Sequence, residues 1–451
     1  MDEDTPPSRR SLPTSRRAVL GTSAVAFAGL PGCLGGRDET DPTPVVDRPT
    51  EEETDDPPTD RCETPEMRDS DDPLVVEFDS REALGCRGTR LDGFEDLSRW
   101  ETYDGSTGAD LSTVSRGTQS ARLVASEDQS LAWIYRRFED GLDLSDRDLS
   151  LAVHPGADDT RSVEIRLQLL APDRDNRVEM WHGIDDVGGW VRLDFGPTEF
   201  VGDPDLTDVR EIRIKSLPQE GRTLSCNVDE LRTTPKVSDP VAVVTFDGIH
   251  ETQYRNAFQI MDRYGFSGSV GVTPELVGGT DSLSVGRLSE MRDAGWDVVS
   301  NPARNRPLSE YTREEQEAAI RTAKQWLVDK GFEEGARFVH WPEGRLDETT
   351  LDVGAKYHYL GFLGGGSPTG RITGPQTVTR VDGDDVERTF RTLELAERSG
   401  QSVVIEYHTV GYAYDNRASI EQFNRTMRRL DRLGFQVVTP SELWEMQSPE
   451  V

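Results

Sequence analysis

The sequence predicts two folded parts in series, an antiparallel β-sandwich followed by an α/β barrel of the (β/α)7 type. Three observations carry this. At 451 residues the chain exceeds one ordinary domain. From residue 73 to 235 apolar and polar residues alternate with a period of two, the mark of half-buried strands. From 238 to 448 short apolar runs alternate with stretches of helical period, the mark of repeated β-α units and a parallel sheet.

The chain opens on an address rather than a fold. In SRRAVLG (15–21) the pair Arg16–Arg17 precedes an apolar stretch from Ala18 to Leu30, short for a bilayer crossing and suited to a signal peptide. With the LPGC that follows, residues 1–33 resemble a twin-arginine lipoprotein signal. That resemblance implies that Cys33 becomes the lipidated first residue and holds the protein at the extracellular face of the cell membrane. An uncleaved membrane anchor is the alternative, and both place the remainder outside the cell.

Residues 34–72, including DETDPTPVVDRPTEEETDDPPTD, are acidic and poor in apolar side chains, which predicts a disordered linker. The acid excess continues through the chain: 84 acidic against 51 basic residues, a formal charge of −33, with only five Lys. Self-repulsion of that size destabilises a compact state unless salt screens it, and at molar salt the Debye length falls to about 3 Å. The composition therefore reads as that of an extreme halophile. No basic stripe is present, which excludes nucleic acid as a partner. Beyond Cys33 stand Cys62, Cys86 and Cys226; three pairings are open and an odd count leaves one unpaired within the chain.

In the first folded part, SVEIRLQL (162–169) puts Val163, Ile165, Leu167 and Leu169 on one face and Glu164, Arg166 and Gln168 on the other. SARLVAS (120–126), WVRLDF (190–195) and VREIRIK (209–215) alternate likewise between Gly, Pro, Asp and Asn clusters. In texture the segment resembles jelly-roll modules of the galactose-binding-like, carbohydrate-binding type. Trp100, Trp133, Trp181 and Trp190 are then candidates for stacking on sugar rings, although a Trp in such a strand more often serves as core.

In the second part, the strand VAVVTF (241–246) ends at Asp247. A helix from about 252 follows, with Tyr254, Ala257, Phe258 and Met261 on one face. Further strands are predicted at SGSVGV (267–272), WDVVS (296–300), ARFVHW (336–341), YLGFL (359–363), TVTRV (377–381), SVVIEYH (402–408) and FQVVT (435–439). Helices are predicted at 284–294, 312–330, 347–357, 384–398 and 419–433. Reactive groups of such barrels sit where strands end, and Asp247, Asn301, Trp341 and His408 fall there.

From Val241 to Met446 the sequence resembles the polysaccharide deacetylase family, which includes chitin and peptidoglycan deacetylases. The resemblance implies removal of acetyl groups from amino sugars, hydrolysis of a carbon–nitrogen bond, with a divalent zinc-type metal. In TFDGIH, Asp247 takes the place of the family's general base and Gly248 that of the metal-binding Asp. In WDVVSNPARNRPLS, Asn301 and Asn305 stand at the two metal-binding His positions. HWPEGR keeps Pro342 and Gly344 but has His340 where many members have Arg, and VVIEYHTV keeps His408. The resemblance thus implies Asp247 and His408 as catalytic groups and His340, Trp341 and Pro342 as substrate-binding ones, with all three metal ligands replaced.

The chemistry of that replacement is severe. Asn offers a neutral carbonyl oxygen, poor for zinc, and Gly offers nothing. Without the cation, attack on an amide loses both the activated water and the charge that stabilises the oxyanion. General acid–base help alone is worth only about 10²- to 10⁴-fold. A relocated site built from Asp247 or His250 with His340 and His408 is one way out. His358 sits in a helix or turn; the sequon Asn424-Arg425-Thr426 would be open to glycosylation on an exported protein, but its place within a predicted helix points to its being unused. Three readings follow: a surface-anchored deacetylase with an altered site, a non-catalytic envelope protein that binds glycan, and a lipid-anchored spacer.

Overall fold

The computed structural model describes residues 64–156, 163–218, 223–302, 307–412 and 417–449. The export signal with Cys33, residues 34–63 including Cys62, and Asn305 lie outside them. All described residues belong to one compact unit, Pro57–Val451. Among them no helix is long and apolar enough to cross a membrane.

The period-two segment forms two antiparallel six-stranded sheets. One runs Ser106–Asp110, Ser120–Ala125, Leu224–Pro235, Arg147–Pro155, Val191–Phe195, with Thr89–Asp92 also paired to Leu224–Pro235. The other runs Glu199–Val201, Arg177–Ile184, Val163–Leu170, Val209–Pro218, Ala132–Leu142, Glu101–Asp104. The predicted apolar face is the buried one: Val163, Ile165, Leu167 and Leu169 enter the core with Leu123, Ile134, Leu151 and Ile214. Among the candidate sugar-stacking rings, Trp100 is core instead, 6% exposed and stacked on Phe94.

The sandwich begins later than residue 73. Residues 74–85 lie against the barrel: the Val76 N–H donates to the Lys356 carbonyl at 3.0 Å, and Phe78 packs on Tyr359 at 5.1 Å and Trp444 at 6.1 Å. Val76, Phe78, Ala83 and Leu84 bury there among barrel residues, an apolar outlet that the alternation of the sandwich strands does not offer. Cys86, at the end of helix Ser80–Gly85, is disulfide-bonded, whereas Cys226 is a free, buried thiol.

The second part is a nine-stranded parallel sheet; each of the eight predicted strands is present, and TVTRV is divided at Arg380 into two. Its order is Val378–Thr379, Leu360–Leu363, Phe338–His340, Asp297–Ser300, Ser269–Val272, Val241–Phe246, Val403–Tyr407, Val381–Asp382, with Gln436–Val438 beside the start of Val241–Phe246. The two end strands of this order are separated in sequence by Arg380 alone, so one residue closes the barrel. All six residues of Val241–Phe246 are buried, as a central parallel strand requires. The helices lie where helical period predicted them. Arg313–Asp329 opens on a capping box, Thr312 with Glu315, and Ile420–Leu433 ends on Gly434 at φ 76°, a left-handed cap.

Candidate functional site

Asp247 emerges from the strand that the barrel is built around. Its N–H donates to the Tyr407 carbonyl at 2.9 Å, and Gln253 Nε2 donates to the carbonyls of Asp247 (2.7 Å) and His408 (2.6 Å), tying the two strand ends together. The chain then turns sharply through Gly248 (φ 83°) and Ile249 (φ 42°). A left-handed turn at this point suits Gly, and a Cβ there would meet nothing within 4 Å, so the backbone angle rather than crowding favours it.

That carboxylate is fully engaged. Arg380 donates to it twice, Nη1 to Oδ1 at 3.0 Å and Nη2 to Oδ2 at 2.9 Å. His340 Nδ1 donates to Oδ1 at 2.7 Å, and its Nε2 meets Ser269 Oγ at 3.3 Å. Gly271 leaves room for the pair, since a Cβ there would stand 2.7 Å from His340 Nδ1. Arg380 is itself buried, 2% exposed, and its Nη2 also reaches Glu406 Oε1 at 3.0 Å. One guanidinium therefore bridges two carboxylates. His408 stands at the rim with its Nε2 4.0 Å from Glu406 Oε1 and 40% of its side chain exposed. Its Nδ1 accepts from Arg417, which Asp384 holds at 2.8 Å, so the neutral ring carries its proton on Nε2.

The electrostatics divide these groups. Burial pushes Asp247 up, but the charges of Arg380 and then His340 overcome it and hold the carboxyl well below the usual range. Burial pushes Glu406 up to about 7, against Arg380 and with the help of the Asp247 charge. Burial also lowers His408, opposed by Asp247. Asp247 is thus a weak base and a fixed ion-pair partner. Glu406 is the group that exchanges a proton near neutrality, and His408, lowered by burial, favours its neutral form.

Of the three positions where the resemblance puts metal ligands, Gly248 and Asn301 are among the described residues, and neither suits a cation. Gly248 offers no ligand, and Asn301 is buried with its side-chain oxygen accepting from Thr273 Oγ1 at 3.2 Å. Nor do His250, His340 and His408 form a common centre. His250 Nδ1 bonds Thr252 at 2.9 Å with its ring against Tyr412, and His340 is spent on Asp247. The trio that does gather is Asp247, Glu406 and His408, whose ligand atoms lie within 4.8 Å of one another. Arg380 contacts both of its carboxylates, and the guanidinium plays the part of the cation there.

Of the substrate-binding positions, Trp341 and His340 are corrected by their burial, whereas Pro342 is half-buried. Trp341 is 1% exposed and donates its indole N–H to the Gln376 carbonyl at 2.9 Å; Gly354 and Gly361 make room for it, so it is core and presents no face to a sugar. His340 is fully buried and positions Asp247. Pro342 opens the short turn Pro342–Gly344, in which Glu343 takes φ 58°. Sequence reasoning missed Arg380 and Glu406. The signal was a charge interrupting a buried strand, Arg in TVTRV and Glu in SVVIEYH.

Residues 234–361 match the polysaccharide deacetylase family model. The matched stretch carries Asp247 and His340 and stops before Arg380, Glu406 and His408. A relative with the provisional name polysaccharide deacetylase YxkH, from Bacillus subtilis (strain 168), is 24% identical over 124 residues. That alignment covers 28% of this chain and 44% of the relative, so the chain spans less than half the length of this curated protein. Among solved structures, the family 4 carbohydrate esterase of Streptomyces lividans in complex with acetate is 16% identical, with 45% of this chain and 92% of that one covered and a TM-score of 0.32. The pseudoenzyme BA3943 of Bacillus anthracis, of the same esterase family, is 12% identical, with 46% and 66% covered and a TM-score of 0.32. Within the matched stretch, Asp247 stands at the end of the first barrel strand and is followed by Gly248, which has no side chain to offer a metal.

Proposed function

We propose that the protein is a non-catalytic glycan-binding protein of the cell envelope built on a deacetylase-like barrel, exported and held at the outer membrane face through Cys33. One observation carries the loss of hydrolysis: Arg380 bridges Asp247 and Glu406, so a guanidinium neutralises the carboxylates that a metal or a general base would need. Water attack on an amide then lacks a Lewis acid, Asp247 is too weak a base, and proton exchange at Glu406, worth about 10²- to 10⁴-fold, does not replace the metal. Binding is the function these groups can still serve. Glu406, His408 and Arg417 offer acceptors and donors at the strand ends, with His408 and Arg417 reaching solvent, a suitable set for the hydroxyls and acetamido groups of an N-acetylated glycan.

The test is retention of the full chain on immobilised N-acetylglucosamine oligosaccharide in molar salt, with acetate release followed in parallel. Retention that EDTA leaves unchanged, with no acetate formed with or without added zinc, supports the reading. Acetate release that chelator abolishes refutes it.

A further inference from the structure

Sandwich and barrel meet along a close seam. A Cβ at Gly374 would stand 2.1 Å from the Arg192 carbonyl oxygen, and one at Gly196 2.2 Å from that of Pro368, so backbone packs directly on backbone. Thr377 Oγ1 donates to the Arg192 carbonyl at 2.9 Å, and the N–H groups of Thr373 and Gly374 donate to Asp194 at 2.9 and 3.3 Å. Inside this tight seam a cavity of about 350 Å³ stays open. The sandwich walls it at Arg116, Trp190 and Arg192, the helix Ser80–Gly85 at Arg81 and Glu82, and the barrel at Glu348. The volume lies in the range of small-molecule sites, which favour domain interfaces.

The lining is unusual for this chain. Three Arg against two Glu give it a positive balance in a protein of formal charge −33. Arg81 is satisfied by Asp352 at 2.6 Å and the Trp190 carbonyl at 3.3 Å. Arg192 is not matched by a carboxylate: its Nε donates to Thr373 Oγ1 at 3.1 Å and its Nη2 to Ser150 Oγ at 2.8 Å, and it reaches Asp194 only through the Thr373 hydroxyl. The Arg116 guanidinium has no side-chain partner among the described residues. Burial pulls Arg192 down to about 10 against the attraction of Asp194, and nearby like charges, Arg116 among them, add to the fall. Two guanidiniums that repel each other across a void are stabilised by an anion between them. Trp190 in the same wall supplies a flat apolar face of the kind a sugar ring covers.

We propose that this seam cavity is a second saccharide site, selective for a carboxylate-bearing sugar, a uronic-acid residue of an acidic glycan, held by Arg116 and Arg192 beside Trp190. It stands independently of the barrel mouth. Calorimetry on the full chain in molar salt, with trigalacturonate and its neutral methyl ester as probes, tests it. Binding of the acid, at least tenfold weaker for the ester and at least tenfold weaker in Arg116→Gln, supports the site; Arg116 is exposed, so its replacement leaves folding intact. A parallel loss in Trp190→Ala, checked for an unchanged unfolding midpoint, adds to it. Equal affinity for acid and ester, binding unaltered in Arg116→Gln, or full displacement by inorganic phosphate would overturn it. Acid binding lost in Asp247→Asn but kept in Arg116→Gln would place the ligand at the barrel mouth and overturn it equally.

Discussion

Replacing Arg380 by Met leaves Asp247 and Glu406 facing one another without a cation. The two carboxylates have ligand atoms within 4.8 Å. At an effective dielectric of about 20, two like charges about 5 Å apart repel by about 3 kcal/mol, and the Arg380 attraction to each is lost as well. Glu406 relieves part of this by taking up a proton. Removing one partner of a buried ion pair costs about 3–5 kcal/mol in comparable cases. At roughly 2–4 °C per kcal/mol, the unfolding midpoint should fall by about 6–20 °C. A second signature separates this account from simple loss of packing. With the guanidinium gone, Asp247, Glu406 and His408 form a ligand set for zinc, which should restore about 2.7 kcal/mol at a hundredfold excess over its dissociation constant. Thermal unfolding of wild type and Arg380→Met, each with zinc and with EDTA at fixed salt and pH, reads both effects. A variant destabilised by less than about 1 kcal/mol, or a wild type that zinc stabilises as strongly as the variant, would refute the assignment of Arg380 as the resident cation.

Other outcomes follow from the same geometry. Glu406 has a folded-state pKa of about 7, above its usual value, so the native state holds an extra proton between about pH 4.3 and 7 and loses stability as pH rises through that window. Glu406→Gln should flatten the fall in unfolding midpoint between pH 5 and 8, without abolishing it, because burial also raises Asp148 to about 7 and Asp229 to about 6; a variant with the wild-type slope contradicts this. Asp247 runs in the opposite sense: its depressed pKa contributes stability above its usual titration range that is lost as pH falls through the folded value, so Asp247→Asn should reduce acid sensitivity in an equilibrium acid titration. Gly374→Ala should cost about 1–3 kcal/mol of stability in denaturant unfolding, since its Cβ would stand 2.1 Å from the Arg192 carbonyl, and a neutral result would mean the seam is looser than it looks.

The architecture was legible because its signals are local. Alternation in SVEIRLQL places Ile165 and Leu167 inward in any antiparallel sheet, and the run VAVVTF is buried on both faces only in a parallel one. The start of the sandwich was not legible, since Val76 and Phe78 alternate as a strand does while their burial depends on Tyr359 and Trp444, far along the chain. The site was half legible. Asp247 and His408 stand at strand ends, which spacing reveals. Arg380 reaches Asp247 only because the barrel closes at that one residue, between Val378–Thr379 and Val381–Asp382, and no spacing between 247 and 380 encodes that closure. Glu406 lies on the strand Val403–Tyr407 with its side chain toward the same centre, and a charged residue in a run otherwise buried is the clue that periodicity passes over. Trp341 was misplaced for the converse reason: a Trp at a strand end looks available, and the glycines that let it sink, Gly354 and Gly361, are significant only once the elements are packed.

The most direct measurement is acetate release from N-acetylated chitooligosaccharide by the full chain in molar salt, with zinc and with EDTA, beside retention on the same glycan. Retention with no acetate formed under either condition is the predicted result. Zinc-dependent acetate release by the wild type, lost on chelation, would contradict the claim that Arg380 has taken the cation's place.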